Sequence, residues 1–131
     1  MILPIETIRG QIISKPNNYL LVPGPAGNER RMIKSDKLRA YEASFVAQCR
    51  IYAGRMISQP FELLTTIYYR TAQSDLDNSL KTLLDCLQYV GAIENDALCI
   101  RITAEKRIDR SNPRVEFAIL AQDPPPRLFD I

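Results

Sequence analysis

The stretch Ser74-Asp75-Leu76-Asp77-Asn78-Ser79-Leu80-Lys81-Thr82-Leu83-Leu84-Asp85-Cys86-Leu87-Gln88-Tyr89-Val90-Gly91 carries its leucines at helical spacing. At about 100° per residue, Leu76, Leu80, Leu83, Leu84 and Leu87 share one arc, while Asp77, Asn78, Lys81 and Asp85 lie opposite. Ser74 or Asp75 offers an N-cap oxygen, and Gly91 stands where the chain leaves the helix, so the spacing predicts a helix to about Val90. Just before it, residues 61–70 follow Pro60 and are rich in β-branched and aromatic side chains, which reads as a strand. Just after it, residues 98–107 alternate Leu98, Ile100, Ile102 and Ala104 with Arg101, Thr103 and Glu105, which reads as another. Asp109, Ser111, Asn112 and Pro113 mark a turn, and residues 115–121 a further strand, so these last two strands are expected to form a hairpin.

Working outward, residues 5–13 are β-branched and partly alternating, a first strand. Residues 15–28 hold Pro16, Asn17, Asn18, Pro23, Gly24, Pro25 and Gly27, the signals of a loop. Ser35 followed by Asp36 opens a helix in which Leu38, Tyr41, Phe45, Cys49 and Tyr52 recur at three- and four-residue steps, with Gly54 as its stop. The order β-α-β-α-β-β predicts an α+β fold, a small mixed sheet with two main helices packed on it. One domain is expected over residues 1–122. The Pro-rich tail 123–131, with Arg127-Leu128-Phe129-Asp130-Ile131 after three prolines, reads as a free or packed terminus, with a weak partner contact as the alternative.

The chain has 131 residues, 46% of them hydrophobic and 24% charged, a composition that fits a globular domain and excludes disorder as its main state. No apolar run approaches the roughly 20 residues of a membrane span. The N-terminus lacks the basic start and apolar core of a signal peptide, so a cytoplasmic protein is expected, with no membrane contact. There is no histidine, which excludes Ser-His-Asp and Cys-His catalysis and His-ligated zinc. Cys49, Cys86 and Cys99 form no Cys-x-x-Cys pair and read as core or free thiols. Carboxylates, lysines and an oxygen-ligated metal are what remain for chemistry.

The formal net charge is only +2, yet the basic residues cluster. Arg30, Arg31, Lys34, Lys37 and Arg39 stand within ten residues, against the single acid Asp36. Arg101, Lys106, Arg107, Arg110 and Arg114 form a second group. Two such clusters on a nearly neutral chain fit one positive face that binds nucleic-acid phosphates, and they equally fit ordinary solvated surface. The second group contains Asp109 and has self-pairing as a further alternative.

Asp75 and Asp77 are close in space at a helix start. Two ionised carboxylates there repel, and a hard divalent cation such as Mg²⁺ or Mn²⁺ relieves the repulsion. The same residues are equally a helix cap and first-turn acids that offset the macrodipole, with Asp77 and Lys81 as an i,i+4 ion pair. A third acid, in Glu94-Asn95-Asp96, joins them only if the strand that follows runs back beside the helix start.

Asp75-Leu76-Asp77-Asn78, then Lys81, Leu84-Asp85, Gly91 and Asp96-Ala97, resembles the signature of RusA-type Holliday junction resolvases. The looser resemblance covers most of residues 5–120, including Pro16-Asn17-Asn18, the basic residues 31–41 and Lys106. Asn95 stands where the family more often has a second aspartate. The resemblance implies a Mg²⁺-dependent homodimer (Mn²⁺ being the alternative ion) that resolves four-way DNA junctions by paired symmetric nicks. It implies Asp75, Asp77 and Asp96 as metal ligands, with Lys81 stabilising phosphoryl charge, and these four as the catalytic set. It implies DNA contact by Arg30, Arg31, Lys34, Lys37, Arg39, Lys106, Arg107, Arg110 and Arg114. Two alternatives stay open: a metal nuclease for other branched DNA, flap or fork, and a non-catalytic DNA-binding module.

Overall fold

A computed structural model describes residues 3–14, 18–27 and 29–122. In chain order the elements are β1 (Glu6–Arg9), β2 (Tyr19–Pro23), β3 (Arg30–Lys34), α1 (Asp36–Gln48), β4 (Phe61–Tyr69), α2 (Leu76–Tyr89), a 3₁₀ turn (Asp96–Leu98), β5 (Cys99–Ile108) and β6 (Arg114–Ala121). Alternation along β4 buries Phe61, Leu63, Thr65, Ile67 and Tyr69 on one face and leaves the intervening residues half-buried on the other. Both helices cover the first face. Phe45 of α1 stacks on Phe117 of β6 at 6.0 Å, Tyr52 lies 5.6 Å from the same ring, and Ile8, Leu83, Leu87 and Ile93 complete the core.

The main sheet has the order β1-β6-β4-β5. β5 runs parallel to β4, whereas β6 runs antiparallel to both β4 and β1, so the sheet is mixed as the sequence predicts. A parallel pair needs a crossover, and α2 supplies it. The expected hairpin of the last two strands is therefore a correction: β4 lies between β5 and β6, and the turn from one to the other passes the end of β4, where Asp109 N–H donates to Tyr69 O at 2.8 Å.

Three further boundaries differ from the sequence reading. The loop expected at 15–28 contains β2, which pairs with β3 in a separate antiparallel ribbon from Tyr19↔Lys34 to Pro23↔Arg30. The first strand stops at Arg9 because Gly10 turns the chain at φ +108°. α1 stops at Gln48 rather than near Gly54. Its successor Cys49 is extended, and the N–H groups of Arg50, Ile51 and Tyr52 donate to the buried Glu6 carboxylate at 3.1, 2.7 and 3.2 Å instead of continuing the helix.

α2 starts on the Asp75 cap and ends before Gly91, which adopts φ +68°. Its buried face is rotated from the leucine arc and centres on Ser79, Thr82, Leu83, Cys86 and Leu87, with Leu76, Leu80 and Leu84 only partly buried. The two hydroxyls tolerate burial because both are bonded: Tyr69 O–H donates to Ser79 Oγ at 2.6 Å, and Thr82 Oγ1 donates to Ile13 O at 2.6 Å. Asp77 and Lys81 are exposed, while Asn78 and Asp85 are half-buried. No helix among the described residues is long and apolar enough to cross a membrane. The tail 123–131 lies outside the described residues.

Candidate functional site

A parallel β-α-β unit opens a cleft where the first strand hands over to the helix. Here that point lies between Tyr69 at the end of β4 and Asp75 at the start of α2. A cleft of about 260 Å³ sits there, lined by Gln11, Ser14, Asn18, Lys37, Gln73, Ser74 and Asp75 among others. Gln11 pins the connecting loop, accepting from Arg70 N–H at 2.9 Å and reaching Ser74 Oγ at 3.4 Å. Lys106, on β5, donates to the carbonyls of Ala72 at 2.6 Å and Ser74 at 2.5 Å. That role for Lys106 and Gln11 is invisible in sequence, since their partners lie tens of positions away and all but the Ser74 hydroxyl are backbone groups. Burial raises the Tyr69 hydroxyl pKa, which keeps it the proton donor to Ser79 beneath the cleft.

Asp75 is the N-cap. Its Oδ1 accepts from Asp77 N–H at 3.1 Å and more weakly from Asn78 N–H at 3.5 Å, and its Oδ2 accepts from Asn78 Nδ2 at 2.9 Å. The cap reading is thus realised, and the cap holds Asp75 and Asp77 at the same helix end. Among the described residues no ion pair joins Asp77 to Lys81, so both project from the outer face toward solvent.

Asp96 stands elsewhere. Its N–H donates to Gln88 Oε1, in the last turn of α2, at 3.1 Å. At 1.5 Å rise per residue, the two ends of this helix are about 20 Å apart. The strand register agrees: Cys99 is level with Phe61, at the opposite end of β4 from the cleft. Among the described residues, no group of three or more Asp, Glu, His or Cys side chains comes together. Within one chain, then, Asp75 and Asp77 are neighbours and Asp96 does not join them, because β5 runs parallel to β4 and begins at the far edge.

Residues 10–120 match the family described as Endodeoxyribonuclease RusA. The chain belongs to that RusA family. It is a nuclease that acts on DNA, and the matched span takes in the cleft, all of α2 and Asp96. No curated protein matches the chain.

On this RusA-family chain the basic residues divide into two kinds. Arg30 and Arg31 on β3, Lys37 and Arg39 on α1, and Arg110 in the 109–113 turn are exposed and have no ion pair with a described carboxylate. The others are engaged. Lys34 donates to Glu42 at 2.9 Å and to the Tyr89 hydroxyl at 2.8 Å, and these bonds hold its ammonium well above the ordinary lysine range despite the cost of burial. Arg107 pairs with Glu105 at 3.0 Å, and Arg101 approaches Glu62 at 3.8 Å. Arg114 pairs with Asp109 at 2.9 Å and lies 3.7 Å over the Tyr68 ring. The hydrogen bond from Arg114 holds the Asp109 carboxyl below its usual value. The second basic group is therefore largely self-paired.

Proposed function

We propose that this RusA-family nuclease cuts branched DNA, the four-way junction above all, as a homodimer that uses Mg²⁺, with Mn²⁺ as the alternative ion. The observation that carries the reading is Asp75 on the wall of a cleft inside the matched span, with Asp77 held beside it at the helix start by the bond from its N–H to the Asp75 carboxylate. Their hard carboxylate oxygens at an exposed helix start suit such an ion. Held there, the metal would act as a Lewis acid on the scissile phosphate and lower the pKa of a bound water.

The chain's own residues do the rest. Lys81 stands one helical turn beyond Asp77 and would offset charge on the phosphoryl oxygens. Lys37 on the cleft wall, with Arg30, Arg31 and Arg39 nearby in sequence, would draw the backbone phosphates in and make affinity fall with salt. Such contacts position DNA and read its shape.

One chain offers two carboxylates at this helix start, so a three-acid site would take Asp96 from a second chain. The outer edge of β5 supports that assembly. Among the described residues it is an unpaired ten-residue edge with Ile100 and Ile102 59% and 40% exposed, a surface that invites pairing. Two copies of β5 paired antiparallel about a two-fold axis would set the Asp96 end of each beside the Lys106 end of the other, next to Asp75. A two-fold pair of sites also fits a substrate that needs two cuts.

Asp77→Asn tests the assignment, because it removes a charge from an exposed side chain that carries no packing. The variant should bind a synthetic four-way junction like the parent and lose metal-dependent nicking. Undiminished nicking would overturn the site. Asp75's service as a cap favours one rival, in which the acids hold the helix and no metal. In that case Mg²⁺ would shift neither cleavage nor melting temperature.

A further inference from the structure

The ribbon of β2 and β3 stands apart from the main sheet and carries large apolar side chains in solvent. Leu20, Leu21 and Met32 are 52%, 59% and 64% exposed. Leu21 and Met32 face each other across the ribbon, so they form one apolar pair on one side. A lone two-stranded ribbon is only marginally stable, and this one is anchored at its base. Lys34 ties it to Glu42 and Tyr89, and Asn18 accepts from the N–H and the hydroxyl of Ser35 at 2.8 and 3.2 Å.

The anchor is also the cleft wall. Asn18 and Lys37, which bracket the ribbon in sequence, both line the cleft that contains Asp75. The ribbon thus springs from the rim of the nuclease site. Beside the apolar pair stand Arg30 and Arg31, exposed and outnumbering Glu29. This charge disfavours a two-fold contact of the ribbon with its own copy, and it matches a polyanion.

Resting on the reading of the cleft as a branched-DNA nuclease site, we propose that this ribbon is a wedge. Leu21 and Met32 enter the base stack at the branch point, and Arg30 and Arg31 hold the flanking phosphates. Apolar side chains that part a base step, with the unstacking offset by phosphate contacts, are a general device for opening DNA.

The test uses the full chain and a four-way junction with 2-aminopurine at the branch, in Ca²⁺ so that no strand is cut. The parent should raise the 2-aminopurine fluorescence on binding, as the base unstacks. The double variant Leu21→Ser, Met32→Ser replaces exposed side chains and should fold, bind the junction and leave the fluorescence at its free value. Arg30→Ala with Arg31→Ala should reduce the slope of log affinity against log salt by about 2. A fluorescence rise that survives Leu21→Ser, Met32→Ser overturns the wedge. So does a fall in that variant's solution mass by light scattering, which would make the pair a contact between copies. A parent that nicks the junction in Mg²⁺ yet gives no fluorescence rise in Ca²⁺ overturns the wedge alone, and a parent that neither binds the junction in Ca²⁺ nor nicks it in Mg²⁺ overturns the nuclease-site reading as well.

Discussion

Glu6 is the residue whose role is least expected from its neighbourhood. It is a carboxylate with 4% exposure. Its Oε1 accepts from the backbone of residues 50–52 and from Cys49 Sγ at 3.2 Å. Three N–H groups that would otherwise be orphaned at the end of α1 thus find one acceptor. Burial, then the bond to Glu6, pushes the Cys49 thiol up to about 12, so it stays protonated at neutral pH. Replacing Glu6 by Ala strands those donors inside the protein and should cost about 2–4 kcal/mol, more than an ordinary surface change. Urea denaturation measures it, and a loss under about 0.5 kcal/mol would contradict the account. Alternation in the sequence puts Glu6 on the same face as Ile8, yet nothing local announces a partner 44 positions away. Asp75 is the opposite case: its cap position and its nearness to Asp77 are both legible, because i to i+3 geometry is local.

At the scale of elements, what the sequence discloses follows the range of the forces involved. Ser35 is legible as the start of α1, and its Oγ accepts from Leu38 N–H at 3.2 Å. Ser35→Ala should therefore lower stability by about 1 kcal/mol, read as a shift in melting temperature, and an unchanged midpoint would remove the cap from the account. α2 is legible for the same reason, although its buried face turns toward Ser79 and Thr82 once their hydroxyls find partners. The end of α1 is not, since Tyr52 keeps helical spacing while Glu6 captures the backbone ahead of it. The ribbon is hidden because its strands carry Pro23, Gly24, Pro25 and Gly27 at the turn, and such residues read as loop. The last two strands read as a hairpin because neighbours in sequence commonly pair. Here β4 takes the place between them, an outcome of the crossover that no local pattern displays.

For the whole molecule, the parallel pairing of β4 and β5 decides the site. It sends Asp96 to the far end of α2, about 20 Å from Asp75, so a three-acid site of the kind proposed would need two chains. That makes a sharp prediction for mixed variants. Asp77→Asn and Asp96→Asn should each be inactive alone. Mixed and allowed to exchange, they should regain nicking, since a mixed dimer rebuilds one of its two sites. It should nick junctions once rather than resolve them, as a denaturing gel reports. Mixtures as silent as their components would place all three acids in one chain, and an active Asp96→Asn would discard Asp96. The sequence reading brought these acids together in kind, and the topology distributes them in space.

The most direct measurement is cleavage of a labelled four-way junction beside linear duplex, splayed-arm and flap substrates, with Mg²⁺ and with chelator. The account predicts paired, symmetric nicks on the junction that chelator abolishes and that the linear duplex does not receive. Cleavage of duplex and junction alike, or nicking that persists in chelator, would contradict it.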